Sequence, residues 1–126
     1  MKKPGEIGED MATEYLKKKG YQILERNWRG DNKLKCPEID IIAEKNNIIV
    51  FIEVKTSSTG VFGEPEHWIT LQKQKRLAVG ASGYLTRYSQ TKIECRFDAI
   101  TINLQTRPPL INHIKNAFSM PDEDTN

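Results

Sequence analysis

Two apolar segments, Ile39 to Glu44 and Ile48 to Lys55, flank Asn46-Asn47 and restrict the fold of this chain more than any other feature. Asparagine tolerates a positive φ, so the pair predicts a tight antiparallel hairpin. With that turn, Asp40 lies opposite Glu53 and Glu38 opposite Lys55. One face carries Ile39, Ile41, Ala43, Ile48, Val50, Ile52 and Val54; the other carries Asp40, Ile42, Phe51, Glu53 and Lys55. A slip of one residue would set Asp40 against Ile52 and mix the two sets, so the pattern itself selects the register. Both faces are mostly apolar, which predicts central, covered strands.

The other elements follow from spacing and breakers. Ile7, Met11, Tyr15 and Leu16 recur at helical spacing, Lys17 to Lys19 place cations near the end, and Gly20 supplies a stop. A first helix is therefore expected from Glu6 to Lys19, then a strand from Tyr21 to Arg29 and a polar loop from Gly30 to Pro37. A loop from Thr56 to Pro65 follows the hairpin. A second helix is expected from His67 to Arg87, a strand from Ile93 to Ile102, and a final helix from Leu110 to Phe118 on the spacing of Ile111, Ile114 and Phe118. The order α-β-β-β-α-β-α implies an α/β fold with a mixed sheet flanked by helices. At 126 residues and 37% hydrophobic, the chain suits one domain, placed at residues 1–119, with an acidic tail at 120–126.

Charge and cysteine usage narrow the setting. The formal charge is +2, and Asp122, Glu123 and Asp124 sit in the tail, so the folded part is more basic than the whole. No segment reaches the roughly 20 apolar residues that span a bilayer, and no apolar stretch follows the basic N-terminus as in a secretory signal. Cys36 and Cys95 lack metal-type spacing, and a cytoplasmic, reducing setting is expected, with a disulfide between them left open.

The hairpin carries the chemistry. Like charges directly across two strands repel, and Ile42 and Phe51 would make the place drier. A divalent cation resolves the conflict: Mg²⁺ or Mn²⁺ would take oxygens from Asp40 and Glu53, with the Val54 carbonyl as a further ligand. Lys55 beside it can orient a water and offset charge building up on a phosphate. The bland alternative is a solvated salt-bridge face. Gln74 falls within an expected inward stripe of Leu71, Ala78, Ala81 and Leu85, where its amide bonds either to the carboxylates or to backbone and water. Lys33, Lys35, Lys73, Lys75 and Arg76 are candidate phosphate contacts or simply a solvated face. His67 and His113 have no ligand-like spacing and read as ordinary, and Trp28 and Trp68 read first as packing.

Asp40 followed thirteen residues later by Glu53-Val54-Lys55, on a hairpin after a helix and strand, resembles the PD-(D/E)XK nuclease superfamily. More specifically, the chain resembles the YraN-like family of small bacterial proteins, similar in its core to Holliday junction resolvases. Gly8-Glu9, Gly20-Tyr21, Glu38-Ile39-Asp40, Phe51 to Lys55, Phe62-Gly63, Lys73-Gln74, Arg96-Phe97-Asp98 and Asn116-Ala117-Phe118 carry that resemblance in order along nearly the whole chain. It implies a restriction-endonuclease-like core, with Asp40 and Glu53 as metal ligands, Lys55 as the catalytic lysine and Glu9 completing the acidic site. Without the resemblance, Glu9 is as readily an exposed acid favoured by a helix N-terminus. Two departures stand out: Ser57 replaces the family's usual arginine, and Pro37 its usual glycine.

The expected function is a Mg²⁺- or Mn²⁺-dependent endonuclease acting on DNA phosphodiesters, at junctions, flaps or ends, with RNA left open. A non-catalytic DNA-binding or assembly module is the alternative, and a homodimer is a candidate state.

Overall fold

A computed structural model of the chain describes residues 1–30, 38–88 and 94–119. In chain order its elements are α1 (Pro4–Lys18), β1 (Gln22–Trp28), β2 (Ile39–Lys45), β3 (Ile48–Ser57), α2 (Pro65–Trp68), α3 (Leu71–Tyr88), β4 (Glu94–Asn103) and β5 (Leu110–Phe118). Lys33, Lys35, Cys36, Pro37, Ile93 and the acidic tail lie outside the described residues.

The hairpin forms as its pattern requires. Asn46 and Asn47 take φ of 53° and 63°, as a tight turn between twisted strands demands. Ile41 pairs with Ile52, Ile42 with Phe51 and Ala43 with Val50, which is the expected register. The strands form one five-stranded mixed sheet in the order β1-β2-β3-β4-β5, with β3 and β4 parallel and the other neighbours antiparallel. The helical crossover between β3 and β4 is what permits the parallel pair.

Each face of the sheet buries its own core. On one side Ala12 and Leu16 of α1 pack on Ile41, Ala43, Val50, Ile52, Ile100 and Ile102. On the other, Leu77, Ala81 and Tyr84 of α3 pack on Ile42, Phe51 and Phe97, with Trp28 edge-on to Tyr84. Trp28 is thus a core residue, as expected. Ile39 departs from the expected alternation: it joins the α3 side with Ile42 instead of the α1 side with Ile41. The strict two-residue period therefore breaks at Asp40, between them.

Four further expectations change. The final helix is wrong: Leu110–Phe118 is strand β5, paired with β4, so the order ends β-β and the helices are α1, α3 and the short α2. Ile111 packs toward α1 and Phe118 stacks on Phe97 on the opposite face, so apolar residues from two faces imitated one helical stripe. The expected second helix is broken: α2 stops at Trp68, and Thr70 starts α3 by accepting the Lys73 amide at its Oγ1, 3.2 Å away. Leu71, placed in the inward stripe, is 61% exposed, and the buried positions are Leu77, Ala81 and Tyr84. On α1 the inward line runs through Gly8, Ala12 and Leu16, with Met11 and Tyr15 flanking and Ile7 largely exposed. Gly8 is required by close approach, since a Cβ there would collide with Thr56 Oγ1. Among the described residues no helix is long and apolar enough to cross a membrane.

Candidate functional site

Asp40 sits where β2 and β3 part. The last direct backbone partners are Ile41 and Ile52. Beyond them the Asp40 side chain takes over, its Oδ2 accepting the Val54 N–H at 2.8 Å. The strand end is thereby tied through a carboxylate, and that carboxylate is fixed at the mouth of the splay. Val54 enters the site in this structure as an amide donor.

The helix on one side supplies more acid. Glu9 on α1, Glu38 just before β2 and Asp40 bring one oxygen each to within 4.8 Å of one another, all three half-buried. Asn27 of β1 lies between Arg26 and Trp28, the partners of Ile41 and Ile39, and so stands beside Asp40. It takes φ of 51°, a conformation asparagine tolerates. With its amide oriented nitrogen-first toward the acids, the orientation that two carboxylate acceptors require, it donates to Glu9 Oε1 at 2.9 Å and Glu38 Oε1 at 2.5 Å. Arg26 adds positive charge nearby, pairing with Asp10 at 3.0 Å and pulling Glu9 back toward its charged form. Burial dominates for Glu9 and, with Glu38 and Asp10, leaves its carboxyl above the ordinary range.

The helix on the other side supplies a cation. Lys73 Nζ lies 2.5 Å from Glu53 Oε1, and Glu53 is only 12% exposed. Asp40 lies between the two acidic arms, close enough to feel both Glu53 and Glu9. Its carboxyl is pushed up to about 8, first by burial, then by the charge of Glu53; the Val54 amide and Lys73 offset part of this, and Glu9 adds to it. Such a group holds its proton near neutral pH unless a cation replaces it. Glu9, Glu38 and Asp40 thus form a hard oxygen set at the splayed hairpin, with the Glu53 charge acting on Asp40 from the α3 side. It could hold Mg²⁺ or Mn²⁺ and still leave positions for water and a phosphate.

The sequence-read residues divide as follows. Glu9 and Asp40 come together, joined by Glu38; Glu53 stands outside that cluster, leaning to α3 and Lys73, and reaches Asp40 as a nearby charge. Lys55 is exposed and makes no ion pair among the described residues; the strand pairing ends before the position where Glu38 is expected opposite it, and Glu38 pairs with Arg29. Gln74 donates its amide to the Ile69 carbonyl at 3.1 Å, taking the backbone alternative instead of a carboxylate. Lys73 is engaged with Glu53, while Lys75 and Arg76 are exposed on the outer side of α3. Ser57 is buried and bonded to Thr59.

Two sets of residues escape the sequence reading. Glu38 and Asn27 join the site only through the fold; the one signal for Glu38 is its place beside the strand carrying Asp40. His113 reads as ordinary, yet it belongs to a buried polar cluster on the α1 side. Its Nε2 lies 2.7 Å from Asp98 Oδ2 and its Nδ1 3.1 Å from the Tyr15 hydroxyl, so an Nε2–H donated to Asp98 leaves Nδ1 to accept from Tyr15. Arg96 donates to both Asp98 oxygens at 2.8 and 3.0 Å and to Tyr21, and Asn116 N–H donates to Asp98 at 3.0 Å. Burial alone would raise the Asp98 carboxyl, but the bonds from His113, Arg96 and Asn116 outweigh it and hold the group below its ordinary value. This cluster locks β5 onto β4 across the irregularity near Asn116.

A sequence model of the uncharacterised protein family UPF0102 matches residues 8–102, a span containing Glu9, Asn27, Glu38, Asp40, Glu53, Lys55 and Lys73. A UPF0102 protein of Chloroherpeton thalassium is 42% identical over 120 residues, covering 95% of this chain and 85% of its own length. One from Alkaliphilus oremlandii is 44% identical over 119 residues, with 93% and 98% covered. One from Geobacter metallireducens is 40% identical over 116 residues, with 92% of each covered.

Proposed function

This chain belongs to the uncharacterised protein family UPF0102, and we propose that it is a metal-dependent nuclease of the PD-(D/E)XK superfamily, hydrolysing phosphodiester bonds in DNA. The observation that carries this reading is the clustering of Glu9, Glu38 and Asp40 at the mouth of the splayed hairpin, with Glu53 near enough for its charge to act on Asp40 and Lys55 exposed two residues after Glu53. The mixed sheet with a helix on each face accommodates a restriction-endonuclease-like core.

Each residue has a task in this reading. Asp40 and Glu53 hold a Mg²⁺ or Mn²⁺ ion, and Glu9 and Glu38 complete the acidic wall. The cation, when bound, supplies polarisation of a phosphoryl oxygen and neutralises developing charge. The Lys55 ammonium, with no ion pair among the described residues, holds a water by its oxygen and donates to a non-bridging phosphate oxygen. Lys75 and Arg76 on α3 contact the phosphate backbone, a term that weakens as salt rises. An uncompensated acidic wall would repel DNA, so the ion also makes the approach of a phosphate electrostatically favourable. In the alternative reading, a non-catalytic DNA-binding module, Asp40 would only tie the Val54 amide and Glu53 only pair with Lys73, and the gathering of Glu9 and Glu38 beside Asp40 would have no task.

The test is cleavage of a panel of junction, flap, single-stranded and duplex DNAs, with an RNA strand included, in Mg²⁺ or Mn²⁺. Cutting that EDTA stops and that Asp40→Ala and Glu53→Ala abolish is the expected result. Absence of cutting on every substrate, or equal cutting by Asp40→Ala, would overturn the proposal.

A further inference from the structure

We infer that Lys73 is the built-in counter-cation of Glu53 and that a divalent ion binds this site by exchange, displacing the lysine ammonium from the carboxylate. The inference rests on the metal-site reading above and deepens it, because it assigns to Lys73 control over when the site is loaded.

Four observations carry it. Lys73 Nζ meets Glu53 Oε1 at 2.5 Å, so an ammonium already neutralises the carboxylate that a cation would bind. The two ends of the pair differ in environment: the Glu53 side chain is 12% exposed and the Lys73 side chain 36%. The lysine can return to water when displaced, whereas the carboxylate stays behind and needs a replacement charge. Lys73 also lies in the first turn of α3, where the helix dipole disfavours a cation and no acidic residue is present. A lysine there goes against the local preference, and Glu53 is its compensation. Finally, its backbone is anchored independently of its side chain: the Lys73 amide donates to Thr70 Oγ1 at 3.2 Å, and the next amide donates to the Thr70 carbonyl at 2.8 Å. The four-carbon stem can therefore swing without moving the helix.

Exchange follows from electrostatics. An ammonium and a divalent ion on one carboxylate repel strongly at partial burial, so the two do not share Glu53. Lys73 thus keeps the metal-free protein folded around a buried carboxylate and sets a threshold for metal. It is a positioning residue, acting through Glu53.

The experiment is thermal unfolding of the full chain and of Lys73→Met, in EDTA and in saturating Mn²⁺, with Mn²⁺ affinity measured by calorimetry. In EDTA, Lys73→Met should melt about 3–6 °C below the wild type, because Glu53 loses its only close cation among the described residues. In Mn²⁺ the gap should close, and the variant should bind Mn²⁺ on the order of tenfold more tightly. Lys73→Gln keeps a donor for Glu53 without the charge, protects folding, and should also bind Mn²⁺ more tightly. Lys73→Arg keeps the charge and should show no gain. An equal melting gap in EDTA and Mn²⁺, with unchanged affinity in Lys73→Met and Lys73→Gln, would overturn the exchange while leaving the metal site intact. A wild type that neither gains stability from Mn²⁺ nor binds it would overturn the metal-site reading and this inference together.

Discussion

Replacing Asp40 by asparagine should stabilise the metal-free protein while destroying its site. In the Asp40→Asn variant the side-chain amide oxygen still accepts the Val54 N–H, which preserves the tie at 2.8 Å, and an NH₂ turns toward the neighbouring acids. What the substitution removes is a charge that the fold disfavours. In the fold the Asp40 carboxyl is raised from 3.8 to about 8 by burial first and by Glu53 second. A folded value above the unfolded one means that the fold holds a proton the unfolded chain releases. Stability is therefore full below about pH 4 and declines as pH rises toward 8. At about 1.4 kcal/mol per pH unit the ceiling on that decline is roughly 6 kcal/mol. Relaxation and water entry reduce it, and a gain of about 1–3 kcal/mol for Asp40→Asn at pH 8 is the expected size. The assay is urea unfolding of both proteins in EDTA at pH 5 and pH 8. The variant's advantage should be small at pH 5 and clearly larger at pH 8, at equal m-values. A variant that is less stable at pH 8, or a difference that does not change with pH, would refute the reasoning.

Three further outcomes are expected. Lys55→Ala should lower DNA cleavage by about 10²–10³-fold while changing stability by under about 0.5 kcal/mol, since Lys55 is exposed; single-turnover rates and urea midpoints check both. Gly8→Ala should cost about 1–3 kcal/mol, because the new Cβ would collide with Thr56 Oγ1 and push α1, with Glu9, off β3; Mn²⁺ affinity should fall with it. Asp98→Asn should cost about 3–5 kcal/mol at neutral pH, because Arg96 and His113 lose a buried partner. Asp98 is held below its ordinary value, so the wild type should lose this contribution as pH falls through that depressed value. An acid titration of stability should show the variant's deficit shrinking at low pH.

The centre of the fold was legible because there the code is short-range. Alternating Ile and Val on either side of Asn46-Asn47 set the β2–β3 register as far as Ile41 and Ile52, and Asp40 and Glu53 are the next residues beyond it. The edges were less legible. β5 carries Ile111 and His113 toward α1 and Phe118 toward α3, and the irregularity near Asn116 breaks its period of two. A strand with apolar residues on both faces and a break in register has no clean alternation to read. Reading β5 as a helix also hid His113, since its partner Asp98 is found only by pairing β5 with β4. Glu9 could be placed in the first helix, but only the close approach allowed by Gly8 brings it over the hairpin mouth. Lys73 was legible as a basic residue on a helix; that it points inward to Glu53 instead of outward with Lys75 depends on where Thr70 starts α3.

The most direct measurement is a crystal structure of the protein grown or soaked in millimolar Mn²⁺, with anomalous scattering collected to locate the ion. The expected result is a peak bonded to oxygens of both Asp40 and Glu53, at about 2.0–2.3 Å, with the Lys73 ammonium moved away from Glu53. Crystals at that concentration in which no peak lies between those carboxylates, and Lys73 still grips Glu53, would contradict it.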